Sequence, residues 1–304
     1  MKIQRFLLLL LLSVSANEML AQNEATYAQY MFNGLAINPA YAGQHKALSV
    51  SFLSRFQNVG LPGAPTTQSL AIHSPLPNER FAVGALFVHD KIGVISQTQF
   101  SGVYAYRLPI NKDATLSFGI QAGISRYVAQ YSQLDIYQTD PAFSQDIYQT
   151  NPNIGAGVFY DHTKWYIGLS APQLMNNVFT RSNDFSSVKQ PSTVILNGGY
   201  VMPISRAVYF KPNGLVKMVD GRVVEVDINA NFLFDEVLWF GASYHSSNSM
   251  NFLVDMQLTD QIRFGYSYTM ALGSVKTVEI GSHEVFLGYI FKFNYKGVVS
   301  PRYF

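Results

Sequence analysis

The sequence predicts an all-β protein, an outer-membrane antiparallel β-barrel of about 14 strands, with an N-terminal segment that is periplasmic or lumen-inserted. Most of the chain alternates apolar and polar side chains in segments of about ten residues, as half-buried strands do. Only 13% of residues are charged while 14% are aromatic, so much of the surface need not face water. The connections between segments also divide into a short set and a long set, which is typical of bacterial barrels.

The first residues have the layout of a secretory signal peptide. Lys2 and Arg5 give a positive start, residues 6–12 are apolar, and small residues follow. Cleavage fits after Ala16 or after Ala21, and we take residues 1–21 as the signal peptide. An N-terminal arm over residues 22–46, a candidate plug, and a transmembrane β-barrel over residues 47–304 are then expected.

Three features of composition narrow the class of protein further. After residue 22 no apolar run reaches the roughly 18–20 residues that a membrane helix needs. The formal net charge of +2 is too small to indicate a nucleic-acid partner. The chain has no Cys, so strand pairing and burial must stabilise it without disulfides.

The arm contains a stretch, Tyr27–Gly43, that is rich in amides and aromatics and almost free of charge. Asn38-Pro39 and Gly43 are strong turn signals, so an extended segment with a fixed corner is expected. We place it at the periplasmic entrance, where it either folds into the lumen as a plug or docks on a periplasmic partner. The first alternative predicts burial of a specific set of side chains: Tyr30, Met31, Phe32, Ile37 and Tyr41.

The strand pattern is clearest in Thr115–Ser125, which has one apolar face and one face of small polar residues. Val224–Phe234 and Met250–Leu258 repeat the pattern with acidic and amide side chains on the polar face. The 14 predicted strands lie near 47–58, 65–75, 80–90, 95–108, 114–127, 153–161, 164–171, 191–203, 206–218, 222–234, 236–246, 250–259, 260–271 and 283–294. The weakest is 206–218, because Pro212 and Gly214 suggest an edge, a bulge or a loop.

Connection lengths predict how the barrel is oriented. If the first strand rises from the periplasm, the periplasmic turns are short. They lie near 76–80, 109–113, 161–164, 204–205 and 235. The other end has the three long loops, near 128–152, 172–190 and 272–282. Short periplasmic turns and long outer loops are the arrangement of bacterial outer-membrane barrels, whereas a soluble β-sandwich has no reason to separate its loops in this way.

The reactive side chains predict neither catalysis, nor a cofactor, nor a metal site. The six His residues have no metal-ligand spacing. Ser282-His283-Glu284 has the residue types of a catalytic triad, but neighbours on a strand face opposite ways. We expect His283 and Glu284 to pin a loop to a strand end. Glu225, Asp227 and Asp255 are expected in the lumen, with candidate ion-pair partners on polar faces: Arg55, Arg107, Arg126 and Arg263.

The first long loop contains an internal repeat. Residues 135–141 (DIYQTDP) recur as residues 146–152 (DIYQTNP). Tyr is favoured at recognition surfaces because it joins apolar area to a polar tip. We interpret the repeat as two similar turns that present Tyr137 and Tyr148 outside the cell, either for recognition or as a duplication without function.

The mature chain resembles the PorP/SprF outer-membrane proteins of the type IX secretion system of Bacteroidetes bacteria. The strongest match is in the arm, at Gln29, Tyr30, Met31, Phe32 and Asn33, then 35–43 with Asn38, Pro39, Tyr41 and Gly43. Further matches are Arg55-Phe56-Gln57 with 63–67 (including Gly63 and Pro65), 90–93, 116–119, 264–268, and 281–284 with His283 and Glu284, leading into 287–289. Asn58 and Thr269 depart from the family pattern, which usually has Trp and Asp there.

The resemblance implies a non-enzymatic barrel in the outer membrane of a Gram-negative cell, in contact with its lipids. It implies association with the periplasmic secretion-ring lipoproteins, or retention of a secreted cargo or adhesin at the surface, in some members for gliding motility. The alternative from the residues alone is a porin or small-solute transporter, since a 14-stranded barrel is wide enough for a ligand or a plug.

Overall fold

The computed structural model describes residues 27–134, 145–175, 177–180, 187–190, 192–272 and 281–291, and for 177–180 and 187–190 only the backbone. These residues form a closed antiparallel barrel of 14 strands. Neighbouring barrel strands pair around the ring, and the first and last of the described strands pair with each other to close it. The predicted fold class is therefore confirmed.

All 14 predicted segments correspond to barrel strands. These are β1 (Leu48–Phe56), β2 (Thr66–Pro75), β3 (Phe81–Ile92), β4 (Ile95–Pro109), β5 (Ala114–Ala129), β6 (Ile147–His162), β7 (Trp165–Gln173), β10 (Thr193–Tyr200), β12 (Val208–Val219), β13 (Arg222–Phe234), β14 (Leu238–His245), β15 (Ser249–Gln257), β16 (Ile262–Ala271) and β17 (Ser282–Phe291). Within the described ranges, three further strands lie outside the ring: β8 (Asn177–Thr180) pairs with β9 (Ser187–Gln190), and β11 (Met202–Pro203) lies beside β12.

The two faces of each strand separate as the alternation predicts. On β5, Phe118, Ile120 and Ile124 are exposed on the outside, while Ser117 and Gln121 are buried on the inside. β13 and β15 follow the same rule, with apolar side chains outward and carboxylates and amides inward. An apolar exterior around a polar interior is the arrangement of a barrel embedded in lipid.

The connections between the observed strands are segregated by length. β1 starts at the end with the short turns, and the long connections after β5, β7 and β16 all lie at the opposite end. We call the first end periplasmic and the second the outer end. The helical pieces among the described residues are single turns such as Gly34–Ile37. None of the described helices has the length and apolar character to cross a membrane.

The weak segment at 206–218 is a regular strand, and the suggested edge or loop is wrong. β12 pairs with β13 along its length, and its bulge lies between Lys217 and Met218 rather than at Pro212. Pro212 is tolerated because it lies between the residues that pair with β11 and those that pair with β10. On the side of β12 that faces β10 and β11, the missing N–H of Pro212 therefore removes no backbone hydrogen bond between strands.

The predicted pair of turns in the first long loop is also wrong for its second unit. Residues 147–152 are the start of β6, paired with the extended outer end of β5. Pro152 is accommodated because pairing of β6 with β7 begins only at Ala156. The signal peptide, the whole first repeat unit and residues 292–304 lie outside the described residues.

Candidate functional site

The segment Tyr27–Gly43, which we call the plug, lies inside the barrel. All of its residues are buried except Ala36, which is partly buried, and the set Tyr30, Met31, Phe32, Ile37 and Tyr41 is at most 7% exposed. Polar contacts reach β2, β6, β7, β12, β13 and β17, on all sides of the ring. The plug therefore fills the lumen and does not stop at the periplasmic entrance.

Glu284 on β17 anchors the first residues of the plug. Its carboxylate accepts hydrogen bonds from the backbone N–H of Ala28 at 2.9 Å and of Gln29 at 2.7 Å. The same carboxylate pairs with the Arg55 guanidinium on β1 at 3.2 Å, and both side chains are buried. Arg55 and Glu284 lie near the outer ends of their strands. The plug thus begins near the outer end and descends towards the periplasm.

Asparagines of β12 and β13 hold the next two plug residues. The Tyr30 hydroxyl accepts from Asn229 Nδ2 at 2.6 Å and from Asn213 Nδ2 at 3.4 Å. Asn231 Nδ2 donates to the Met31 sulfur at 3.3 Å. Burial raises the pKa of the Tyr30 phenol well above its usual value, despite the opposing hydrogen bond from Asn229. The phenol therefore remains neutral and serves as a buried acceptor.

Phe32 occupies an aromatic and cationic pocket of the barrel wall. Its ring packs against Trp239 and Phe286 at centroid distances of 6.1 and 6.2 Å. The Arg263 guanidinium lies 3.9 Å from the ring centroid and also bonds Asp255 at 2.5 Å. The predicted lumen ion pairing is therefore present in Arg263–Asp255, whereas Arg55 pairs with Glu284, which was expected to pin a loop instead. The neighbouring Asn33 donates to Ser69 Oγ at 2.9 Å.

Asn38 and Pro39 form the corner of the plug. Asn38 Oδ1 accepts from Ala40 N at 2.9 Å, so the side chain caps the turn that Pro39 begins. Asn38 Nδ2 donates to the Val158 carbonyl on β6 at 3.0 Å, which fixes the corner to the wall. Below it, the Tyr41 ring packs edge-on against Phe159, and Gly43 N donates to His73 Nδ1 at 3.1 Å.

Two glycines of the matching motifs make room for the plug. A Cβ atom at Gly119 on β5 would overlap the backbone of Pro39 and Ala40. At Gly265 on β16, it would collide with the Gln29 side chain. The motifs at 116–119 and 264–268, which are distant in the sequence, therefore meet the arm motif in space. The sequence showed their presence but not this shared role.

A second set of motif residues forms a cluster at the outer end, away from the plug. The loop after β1 is closed by Gln57 N bonding the Pro65 carbonyl at 2.9 Å. Gly93 N donates to the Gly63 carbonyl at 2.9 Å, which joins this loop to the β3–β4 turn. Asn58 N also donates to Ser282 Oγ at 3.1 Å. The Asn58 contact comes from its backbone, so its departure from the family pattern leaves this link intact.

Of three remaining predicted residues, His283 and Arg126 lie on the lipid-facing side of the barrel and Arg107 lies in the lumen. His283 Nδ1 lies 2.7 Å from the Tyr266 hydroxyl. His283 and Glu284 therefore face opposite sides of β17 and do not contact the same group. Arg126 is exposed and does not face the lumen, so its predicted ion-pair role is wrong. It has the same parity as Ile124 on β5, and alternation turns both outward. Arg107 is buried in the lumen as expected.

Tyr148 is 58% exposed at the start of β6. Its hydroxyl donates to Asp146 Oδ2 at 3.2 Å, and Ser132 N donates to Asp146 Oδ1 at 2.8 Å. The side chain is thus presented at the outer end by a strand rather than by a turn. Tyr137 lies outside the described residues.

A cavity of about 90 Å³ lies above the plug, with Tyr27, Tyr30 and Ile37 at its floor. Its wall includes Gln121, Glu225 and Asp227. Asp227 and His245 are register partners on β13 and β14, with Oδ1 and Nδ1 2.5 Å apart. Sequence spacing gave no sign of this cluster, because strand pairing alone brings together residues that are 18 positions apart.

Comparisons with known proteins found a matching family and solved structures to which this chain is similar. The family model for the type IX secretion system membrane protein PorP/SprF matches residues 19–289. The solved CymD monoaromatic hydrocarbon channel has a TM-score of 0.57 at 10% identity, over 86% of this chain and 94% of that chain. A TodX deletion mutant, also a monoaromatic hydrocarbon channel, scores 0.49 at 8% identity over 86% and 94%. Omp33 of Acinetobacter baumannii scores 0.46 at 8% identity over 81% and 98%. No curated protein matches the chain.

Proposed function

The chain belongs to the PorP/SprF family of type IX secretion system membrane proteins, and from this premise we propose that it acts as a closed, non-enzymatic docking component of that system. It is a barrel of the outer membrane and a membrane component of type IX secretion. In our proposal it binds secretion-ring lipoproteins through its periplasmic turns, or holds a secreted cargo or adhesin at its outer loops.

The observation that carries the proposal is where the motif residues lie. Those of the arm fill the lumen and hydrogen-bond to its wall, and Gly119 and Gly265 make room for them. A chain whose characteristic residues close its own pore is poorly suited to conduct solutes. The two ends of the barrel are then the surfaces left for a partner. The remaining motif residues support this, because they build the loop cluster at the outer end.

The absence of enzymatic activity is part of the proposal. His283 and Glu284 face opposite sides of β17, so the one triad-like run of the sequence has no relay geometry. The buried carboxylates at 255 and 284 are used by Arg263 and Arg55. Hydrolase assays on the purified barrel, with and without a serine-directed inhibitor, are expected to give the same background rate.

The experiment is a crosslinking pull-down of the tagged full chain from intact cells. Photo-crosslinkers at Gln57 and Tyr148 sample the outer end, and one at exposed Glu79 samples the periplasmic turns. Capture of a secreted adhesin at the outer positions, or of ring lipoproteins at Glu79, supports the proposal and identifies the surface. Recovery of neither, together with normal secretion in a deletion strain, would refute it.

The porin alternative is tested separately in planar bilayers. The CymD likeness concerns the fold alone at 10% identity, so it carries no solute to this chain. We expect the reconstituted protein to show no steady conductance, because the plug is buried and bonded on all sides. A stable open pore in the unaltered protein would favour transport over docking.

A further inference from the structure

We propose that Glu225, Asp227 and His245 form a binding site for a divalent transition-metal ion, with Zn²⁺ as the probe of choice. Each side chain offers one ligand atom, and these atoms lie within 4.8 Å of one another. All three residues are at most 3% exposed. The proposal does not depend on which partner the barrel binds, so it is tested independently of the proposed function.

Strand geometry brings the three ligands together on one face. Glu225 and Asp227 are two residues apart on β13, so both point into the lumen. His245 is the register partner of Asp227 on β14. Zinc binds imidazole nitrogen and carboxylate oxygen at about 2.0–2.2 Å, and small side-chain rotations bring atoms that are already this close to such distances. One nitrogen and two carboxylates suit a transition metal better than Mg²⁺ or Ca²⁺, which prefer all-oxygen sites.

The other imidazole nitrogen has a partner that suits a metal ligand. His245 Nε2 lies 3.5 Å from Ser243 Oγ, on the same inward face of β14. A metal-bound His commonly donates its second N–H to a neighbouring acceptor, which sets the tautomer and the ring orientation. In the structure Nδ1 and Asp227 Oδ1 share a hydrogen bond. When the metal binds, that proton is released to solvent, Ser243 accepts from Nε2–H, and the Nδ1 lone pair is directed at the metal.

The cavity beside the cluster independently indicates an occupant that is cationic or rich in donors. Glu225 and Asp227 line it together with Gln121. Gln121 is 2% exposed and donates to the Pro172 carbonyl, but its Oε1 has no hydrogen-bond partner. A buried acceptor without a donor is costly unless a bound group or water satisfies it. A metal ion with bound water in the cavity supplies both positive charge and O–H donors.

Lys217 is the group with which the metal ion must compete. It faces Glu225 in the register of β12 and β13 and lines the same cavity. Its ammonium supplies positive charge to this wall when no metal is bound. Removing that charge should therefore strengthen metal binding, whereas a cluster that merely forms an ion pair with Lys217 would gain nothing.

The test is a Zn²⁺ titration of the full chain in detergent after chelator treatment, by calorimetry and by Co²⁺ absorption. We expect one ion per chain, at least a tenfold loss of affinity in His245→Ala and Asp227→Asn, and about a tenfold loss in Ser243→Ala. Lys217→Gln should bind at least about tenfold more tightly, because a nearby charge is removed. Glu79→Gln removes an exposed carboxylate in a periplasmic turn and should leave the affinity unchanged.

Folding of each variant is checked by its heat-dependent gel mobility, and a gain of affinity in Lys217→Gln cannot come from misfolding. The proposal is overturned if neither the unaltered chain nor Lys217→Gln binds Zn²⁺ stoichiometrically. It is equally overturned if folded His245→Ala binds as tightly as the unaltered chain.

Discussion

Replacing Glu284 by Gln should release the plug while the barrel stays folded. The substitution keeps the size of the side chain but removes the charge that faces Arg55 at 3.2 Å. It also weakens the acceptor for the N–H groups of Ala28 and Gln29. Arg55 is 7% exposed, so it cannot turn to water in place, and its guanidinium is left as an uncompensated buried charge.

The magnitude follows from these contacts. Breaking a buried ion pair by removing one partner costs about 3–5 kcal/mol. Because 1.4 kcal/mol is a factor of about ten in an equilibrium constant, the open state of the plug should become roughly 10² to 4 × 10³ times more populated. The 14 strands keep all their backbone pairing, so the cost should appear as local opening rather than global unfolding.

Hydrogen exchange measured by mass spectrometry on peptides from Tyr27–Gly43 reads this opening directly. We expect exchange in the plug to accelerate by about 10² to 4 × 10³ in Glu284→Gln, while peptides from β4 and β5 change little. Glu79→Gln is the matched control, because Glu79 is an exposed carboxylate in a periplasmic turn. Unchanged exchange of the plug in folded Glu284→Gln would refute the assignment of Glu284 as its anchor.

Three further predictions concern the fit of the plug. Gly43→Ala should destabilise the barrel by about 1–3 kcal/mol in urea unfolding, more than Gly221→Ala does. Both glycines have φ +78°, but only a Cβ atom at position 43 would meet a neighbour, Ala82 Cβ at 2.6 Å. Equal free-energy costs in the two variants would exclude the clash. Tyr30→Phe should cost about 1–3 kcal/mol by leaving the Asn229 amide without its 2.6 Å acceptor, while Tyr104→Phe on the lipid face should be nearly neutral. Burial, and after it the nearby His73, lower the pKa of His45 well below its usual 6.5. The stabilisation of the folded state by neutral His45 is therefore complete above about pH 6.5 and declines as the pH falls below that value. Hydrogen exchange of the plug should rise on acidification and rise less in His45→Gln, and equal pH slopes in the two proteins would contradict this.

The sequence predicted the barrel well because its signals are local. Alternation along Thr115–Ser125 fixes which face meets lipid, and the same rule places Glu225, Asp227 and Asp255 in the lumen. The errors also have local causes. Pro212 is a signal for an edge strand, but it lies between the part of β12 that pairs with β11 and the part that pairs with β10. Arg126 was assigned by its charge, although its parity with Ile124 turns it outward.

The candidate sites were harder to predict, because each depends on contacts between distant parts of the chain. Glu284 meets Gln29 across 255 positions, and no spacing rule connects them. The pairing of Asp227 with His245 depends on the register of β13 and β14, which a sequence does not state to the residue. The type of each residue was informative, since Asn33 of the arm meets a wall hydroxyl and Tyr30 meets wall amides, but identifying the partners required the closed ring.

The two sets of motif residues are physically connected through two short pieces of strand. Arg55 leads in two residues to Gln57 of the outer loop, and Glu284 follows Ser282, which accepts from Asn58 N at 3.1 Å. The ion pair that anchors the plug is thus fastened to the loop cluster at the outer end. A partner that shifts this loop must strain either the Asn58–Ser282 hydrogen bond or the Arg55–Glu284 pair. If a partner docks at the outer end as proposed, these two bonds give its binding a direct route to the contacts that close the lumen.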